Sequence, residues 1–205
     1  MDIAKMLADD AAIKARMAQL EEPHIRALTQ FVRDLREKMG AEAAIPYFDP
    51  WDAGVQAEVL FLLEAPGPKA KNSGFISMNN PDETAKNVFE MTHAIDLDRR
   101  RILLWNTVPW YIGSGQRIRA ANTKDIRQGI DSLAQLLALL PCLQAVVLVG
   151  KKAQKVEKHI RAVAPQLNIF TSPHPSPMFV NRKPENRSLL LNDWQHVQKS
   201  LAQRS

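Results

Sequence analysis

The sequence predicts an α/β fold in which helices cover both faces of a parallel sheet. Four short apolar runs alternate with helical patterns, and strands that read as continuous apolar runs are typical of parallel sheets buried on both faces. The runs are EVLFLLE (58–64), RILLWN (101–106), AVVLVG (145–150) and NIFT (168–171). A chain of 205 residues is long enough for one sizeable core, so we expect a single domain over residues 1–205.

The helical patterns lie before, between and after these runs. Residues 2–39 are rich in helix-forming side chains, with apolar positions spaced by three and four, and Pro23 should divide them into two helices. We therefore expect N-terminal helices within residues 1–40. Further helical patterns cover 82–94, 124–140, 151–164 and about 185–202.

Composition excludes several classes of site. The single cysteine, Cys142, cannot form an intramolecular disulfide or a multi-cysteine metal or iron-sulfur centre. The five histidines lack HxH or HxxxH spacing, and neither a P-loop nor a GxGxxG motif is present. We expect no metal and no other cofactor.

Charge and the N-terminal residues bear on partners and location. The chain has a formal net charge of +5 and a pI near 9.4, a mild excess that favours a polyanionic partner without naming it. The first 22 residues carry charges every few positions and lack the apolar core of a signal peptide or membrane span. We expect a cytoplasmic monomer that does not bind membranes.

Three polar loops should meet at one edge of the sheet. LEAPGP, WNTVPW and SPHPSP each follow an apolar run, and ligands of parallel sheets bind beyond the carboxyl ends of the strands. Glu64 is either a group of this site or a solvated side chain. The Asn106 carboxamide can pair with a carbonyl and a ring NH of a base, or it can satisfy the backbone of its own loop.

The SPHPSPMF stretch (172–179) fixes a histidine between prolines. His174 can donate a hydrogen bond to an oxygen that gains negative charge, although a lone histidine is more often structural. Ser176 or a nearby amide could hold a phosphate. Met178 and Phe179 fit a wedge that enters a base stack, or one of them packs back on the core. Phe75, in NSGFIS, is either a core anchor or a base-stacking platform.

Taken together, the three loops resemble motifs of the uracil-DNA glycosylase superfamily, in content and in order. LEAPG (63–67) is similar to the GEAPG of the iron-sulfur branch, LLWNTV (103–108) to the strand-end Asn motif, and HPSPM (174–178) to the HPSPL of the ordinary bacterial and eukaryotic enzymes. Each motif is short and weak alone, but three in the right order are fairly specific. The resemblance runs from about residue 58 to 180 and leaves the N-terminal helices aside.

The resemblance implies a three-layer α/β/α fold with a central four-stranded parallel sheet, acting on a base flipped out of DNA. Asn106 would then read the Watson-Crick edge of uracil, and His174 would hydrogen-bond the carbonyl that gains charge as the glycosidic bond breaks. Phe75 would stack on the base, and Met178 would replace the intercalating Leu. The implied activity is hydrolysis of the N-glycosidic bond of deoxyuridine in DNA, with DNA containing uracil as the partner.

Departures from the family pattern bear on catalysis and on selectivity. Ala65 stands where the ordinary enzymes have a water-activating Asp, which leaves Glu64 to orient water or to stabilise the cationic sugar. Gly67 stands where they have the Tyr that excludes thymine. Leu63 replaces the first Gly of the iron-sulfur branch, and the single cysteine excludes its cluster.

Two other functions stay open at this stage. A binding protein of the same superfamily could recognise uracil or damaged DNA without hydrolysis, since the water-activating Asp is missing. An unrelated α/β enzyme on a small phosphorylated substrate would keep the fold but leave Met178 unexplained. Lys69, Lys71, Arg182, Lys183 and Arg187 flank the loops and are candidates to hold phosphates.

Overall fold

A computed structural model describes residues 2–40, 43–114 and 117–202, apart from the side chain of Ala202. The strands are β1 (Tyr47–Phe48), β2 (Val59–Leu63), β3 (Phe75–Ile76), β4 (Ile102–Asn106), β5 (Gly113–Ser114), β6 (Arg117–Ile118), β7 (Ala145–Val149) and β8 (Asn168–Ser172). The α-helices are α1 (Asp10–Met17), α2 (Arg26–Met39), α3 (Pro68–Ser73), α4 (Glu83–Ala94), α5 (Thr123–Ala138), α6 (Gly150–Ala153), α7 (Glu157–Val163), α8 (Pro177–Val180) and α9 (Glu185–Ala202). Short 3-10 helices cover Met6–Ala8, Gly54–Gln56, Arg99–Arg101 and Gln154–Val156.

The central sheet has four parallel strands in the order β4-β2-β7-β8. They correspond to the four apolar runs, so the predicted α/β fold with a four-stranded parallel sheet is confirmed. The register places strand ends side by side, because Leu63 pairs with Asn106 and Val149 pairs with Ser172. The loops that follow these strands therefore start from one edge of the sheet.

Helices pack on both faces of this sheet, which gives three layers. Phe61 and Leu62 point to opposite faces, since side chains alternate along a strand. Trp105, beside Leu62 in the register, lies on one face, where its ring is 3.9 Å from that of Phe48. On the other face, Phe61 contacts Trp194 of α9, with ring centroids 4.8 Å apart.

The predicted helices are present, with two refinements. A turn that contains Pro23 separates α1 from α2, as expected, whereas the 151–164 pattern is interrupted by the 3-10 turn Gln154–Val156. The short helices α3 and α8 were not predicted. Each begins with a proline, whose fixed φ and missing N–H suit the first helical position. No helix in the described ranges has the length and apolar character required to cross a membrane.

Candidate active site

A cavity of about 430 Å³ opens at the carboxyl edge of the sheet. Five of the predicted residues line it together: Glu64, Ala65, Gly67, Asn106 and His174. They come from the loops after β2, β4 and β8, which are distant in sequence. The edge of a parallel sheet is where such loops converge, so this part of the predicted site is assembled by the fold itself.

Asn106 is the last residue of β4 and presents its carboxamide to the cavity. The residue is 5% exposed, and among the described residues no protein group hydrogen-bonds its side chain. Its amide oxygen and two N–H donors are therefore available to a ligand. The carboxamide lines the cavity and is not paired with the described part of its own loop, which favours a ligand-reading role.

His174 reaches the cavity by crossing the end of β7. It follows β8, the edge strand, while the other predicted groups follow β2 and β4. Gly150, directly after β7, has φ of +83°, and a Cβ built on it would lie 3.2 Å from the Cβ of His174. The glycine thus provides both the left-handed backbone and the space that the histidine needs.

Burial sets the charge of His174. Desolvation lowers the pKa of its imidazole below the ordinary value of 6.5, and the carboxylate of Glu64 opposes this shift. The imidazole is consequently neutral near pH 7 and can donate one hydrogen bond. A neutral donor in a half-buried position suits an oxygen that becomes negative only in a transition state.

Glu64 is held by a residue that the sequence did not indicate. Its Oε1 accepts a hydrogen bond from the backbone N–H of Ala121 at 2.6 Å. Ala121 lies just before α5, and the preceding residues Ile118, Arg119 and Ala120 form one wall of the cavity. This wall comes from a segment without any recognisable motif, so only the tertiary structure reveals it.

The loop after β8 is anchored at its proline-rich turn. The side chain of Asn87 in α4 donates to the carbonyl of Pro175 at 2.9 Å. Ser176 caps α8, since its hydroxyl accepts the N–H of Phe179 at 3.3 Å, and it lies outside the cavity lining. Phe179 packs against the core, whereas Met178 is 82% exposed. One of the two apolar side chains therefore fixes the loop, and the other projects from it.

Phe75 does not reach the cavity. It is fully buried in a separate cluster with Leu7 and Leu20 of the N-terminal region. The physical reason is strand alternation: β3 pairs with β1, so Phe75 faces this cluster and the next residue, Ile76, faces the cavity. The base-stacking role expected for Phe75 does not fit this position, and its reading as a core anchor does. Ile76 and Met78 supply the apolar wall instead.

A buried charge network supports that wall from below. Asp49 is fully buried and accepts hydrogen bonds from Arg16, from Ser77 Oγ and from Arg99 Nη2, the last at 2.6 Å. Both arginines also donate to Asn79 Oδ1, at 3.0 and 2.6 Å. The network ties α1 to residues 77–79. Its members are too far apart in the sequence to form a motif, so sequence reasoning missed them.

The basic residues that flank the loops differ in availability. Lys69 and Lys71 are exposed on α3, and Lys69 also lines the cavity. Arg182 and Lys183 are exposed after α8, while Arg187 pairs with Glu90 at 3.1 Å. The ammonium group of Lys71 lies 5.1 Å from the centroid of the Tyr111 ring. Of these five residues, Lys69 is therefore the one placed at the cavity itself.

The family is shown by the sequence comparison. The sequence model of the Uracil DNA glycosylase superfamily matches residues 50–198. The crystal structure of Pedobacter heparinus SMUG2 aligns with a TM-score of 0.57 at 15% identity, over 90% of this chain and 87% of that one. No curated protein sequence matches the chain.

Two further structures align with lower TM-scores than SMUG2. A mutant UNG from Nitratifractor salsuginis has a TM-score of 0.47 at 15% identity, over 89% of this chain and 92% of that one. The mimivirus uracil-DNA glycosylase has a TM-score of 0.45 at 16% identity, over 89% of this chain and 79% of that one. At these identities, the SMUG2 alignment supports the fold alone.

Proposed function

We propose that this chain, which belongs to the uracil DNA glycosylase superfamily, flips uracil out of DNA and hydrolyses its N-glycosidic bond, leaving an abasic site. The observation that carries the proposal is the convergence of Asn106, His174 and Glu64 on one cavity at the carboxyl edge of the sheet. Each supplies a different chemical function that removal of a flipped base requires.

Base recognition is assigned to Asn106. Its carboxamide offers an acceptor and two donors, which match a carbonyl and a ring NH on the Watson-Crick edge of uracil. The flat face of the base would pack against the apolar wall of Ile76 and Met78 rather than against Phe75.

Bond cleavage is assigned to His174 and Glu64. As the glycosidic bond breaks, the base gains negative charge and the sugar becomes cationic. The neutral imidazole would donate a hydrogen bond to the base carbonyl, and the Glu64 carboxylate would stabilise the sugar or orient the attacking water. Ala65 cannot take part in proton transfer, and Asp82, the other carboxylate in the cavity lining, caps α4 by accepting the N–H of Ala85, so Glu64 is the carboxylate assigned to this step.

DNA binding is assigned to the loop around Met178 and to nearby cations. Met178, 82% exposed on a loop fixed by prolines, suits a wedge that fills the gap left by the flipped base. Lys69, Lys71, Arg182 and Lys183 would bind phosphates. Stability does not explain an exposed methionine at this place, but insertion into a base stack does.

The test uses purified protein with uracil-containing and matched thymine-containing oligonucleotides, followed by alkaline cleavage at abasic sites. Cleavage at uracil alone supports a selective glycosylase, and cleavage of both supports a relaxed one. The absence of cleavage at uracil would overturn the proposal.

A second candidate is a protein that binds uracil in DNA without hydrolysis. The replacement of the water-activating Asp by Ala65 favours it. The distinguishing measurement is the release of free uracil at protein concentrations where binding is saturated. Saturated, uracil-selective binding with no released base would establish this alternative.

A further inference from the structure

A chain of hydrogen bonds connects Lys152 to Glu64 through Ala121. The backbone N–H of Ala121 donates to Glu64 Oε1 at 2.6 Å, and the ammonium group of Lys152 donates to the carbonyl of Ala121. Ala121 is 1% exposed, so water competes little for either bond. The three residues belong to separate parts of the fold: the end of β2, helix α6, and the segment before α5.

The carbonyl of Ala121 depends on Lys152. It lies one residue before Asn122, the N-cap of α5, so it is outside the hydrogen-bond ladder of that helix. A buried carbonyl that loses its partner is costly, and the surrounding backbone would shift toward water to satisfy it. Lys152 therefore fixes Ala121 from the side opposite to Glu64.

Neighbouring contacts hold the flanks of this segment. Asn122 and Asp125 form a capping box at the start of α5, and Arg119 makes two hydrogen bonds to Asp125, at 2.6 and 2.9 Å. The Asn122 N–H, in the same peptide unit as the Ala121 carbonyl, donates to Asp125 Oδ2 at 2.8 Å. Arg119 also donates to the carbonyl of Ala120 at 3.3 Å, so both peptide units around Ala121 are held, but neither contact bonds the Ala121 carbonyl oxygen itself. Lys152 is the side chain that acts on Ala121 directly.

The consequence for Glu64 is a fixed carboxylate. A free glutamate side chain samples several rotamers, and a bond from a buried amide holds one oxygen while it leaves Oε2 for a substrate or water. The Glu64 carboxylate also lies near enough to His174 to raise the pKa of the imidazole, against the effect of burial. Its position therefore affects both groups assigned to bond cleavage.

We propose that Lys152 is a positioning residue for the glycosidic step: it holds Ala121 so that the amide of Ala121 fixes Glu64. The inference rests on the proposed function for its catalytic consequence. The hydrogen-bond chain itself can be tested without any activity.

The kinetic test compares Lys152→Met with Lys151→Met, which removes an exposed lysine from the same helix. Loss of a charged hydrogen bond predicts a kcat about tenfold lower for Lys152→Met, with KM changed by less than about twofold. Lys151→Met should retain the wild-type kcat, and Lys152→Arg should recover most of it. In a Glu64→Gln background, Lys152→Met should cause little further loss, because the group it positions has been changed.

The structural test is amide hydrogen exchange at Ala121, measured by NMR. Exchange should be slow in the wild type and in Lys151→Met, and about tenfold or more faster in Lys152→Met. Unchanged exchange in Lys152→Met would overturn the chain of hydrogen bonds. Faster exchange with an unchanged kcat would overturn the positioning role. If the wild-type protein has no glycosylase activity, the proposed function is overturned, and the catalytic role of Lys152 with it. The exchange data would still decide whether Lys152 holds Ala121.

Discussion

Gly150 leaves the space that His174 occupies at the end of β7, because a Cβ on the glycine would lie 3.2 Å from the Cβ of the histidine. The glycine has φ of +83°, which an L side chain rarely adopts. The last residue of the AVVLVG run thus allows a histidine from the edge strand to reach a cavity beside β2 and β4. The glycine that ends this apolar run therefore helps to determine the position of His174.

Substituting Gly150→Ala should impair the reaction more than the fold. The new methyl group strains the backbone by about 1 kcal/mol and pushes His174 from its position. We expect the rate of uracil release to fall by about tenfold or more, since small displacements of a catalytic group have large effects. Single-turnover assays and thermal unfolding measure the two effects separately.

Gly40→Ala is the matched control. Gly40 also has a positive φ, +87°, but a Cβ there would have no neighbour within 4 Å. Both variants should therefore lose stability, and only Gly150→Ala should lose activity. Equal activities in the two variants would contradict the role assigned to Gly150.

Asn106→Ala should abolish base recognition without unfolding the protein. The carboxamide has no hydrogen-bond partner among the described protein groups, so its removal leaves none of them unsatisfied. Two hydrogen bonds to uracil would be lost, and we expect a fall in kcat/KM of about a hundredfold. The measurement is uracil release from an oligonucleotide, with the thermal midpoint as the check on folding. Unchanged release would remove Asn106 from the site.

Glu64→Gln should reduce turnover while DNA binding is retained, and it should also change the titration of His174. The Glu64 carboxylate raises the pKa of His174 against the effect of burial, so its neutralisation should lower that pKa further. NMR titration of the imidazole resonances would show the direction. A rise in the pKa of His174, or loss of DNA binding, would contradict this arrangement.

Activity should depend on the neutral form of His174. Burial places its pKa below 6.5, so the imidazole is neutral above that pH and becomes protonated as pH falls. The rate of uracil release should therefore not change around pH 7, and it should fall as the pH is lowered below 6.5. A rate that increases as His174 becomes protonated would show that the imidazolium is the active form.

Met178→Ala should affect duplex DNA more than single-stranded DNA. The side chain is 82% exposed, so its truncation should change stability by less than about 0.5 kcal/mol. A wedge is needed only where a base leaves a stack, and we expect about a tenfold loss of uracil release in the duplex. Equal losses on both substrates would contradict the wedge.

Val163→Ala is the control for Met178. Val163 is 43% exposed and ends α7, just before the amino end of β8. It therefore lies at the edge of the sheet opposite to the cavity. Its truncation should leave both activities unchanged.

Sequence patterns predicted the features of this molecule that depend on residues close together in the sequence. Continuous apolar runs predicted the four strands. Because parallel topology brings strand ends together, the sequence also placed Glu64, Asn106 and His174 at one edge of the sheet, where all three line the cavity. Phe75 could not be placed in the same way. In a strand of two residues, the sequence does not show which of Phe75 and Ile76 points toward the cavity. The tertiary structure shows that Phe75 packs on Leu7 and Leu20 instead.

The contacts that the sequence did not predict join distant segments. Glu64 and Ala121 are 57 positions apart, and Asn87 and Pro175 are 88 apart. Backbone amides and carbonyls take part in both, and every residue type carries those groups. Composition and spacing contain no signal for such contacts, so they emerge only when the tertiary structure is known.

The charge network beneath the cavity wall contains a carboxyl group with an unusual pKa. Asp52 is 2% exposed and accepts a hydrogen bond from Arg99 Nε at 2.7 Å, but its Oδ2 is buried without a partner in the part of the chain that the structure describes. Burial and the adjacent Asp49 carboxylate raise the pKa of Asp52 to about 7, against the attraction of Arg99. The folded protein therefore holds a proton on Asp52 at pH values where the unfolded chain has lost it.

Asp52→Asn should remove this contribution to the pH dependence of stability. Between pH 4 and pH 7 the folded state keeps the proton and the unfolded state does not, so rising pH lowers the free energy of unfolding. The free energy of the wild type minus that of Asp52→Asn should consequently decrease from pH 4 to pH 7 and level off above. Urea unfolding of both proteins across this range measures the difference, in which the contributions of other groups cancel. A constant difference would show that Asp52 is ionised throughout, with Arg99 alone sufficient to stabilise its charge.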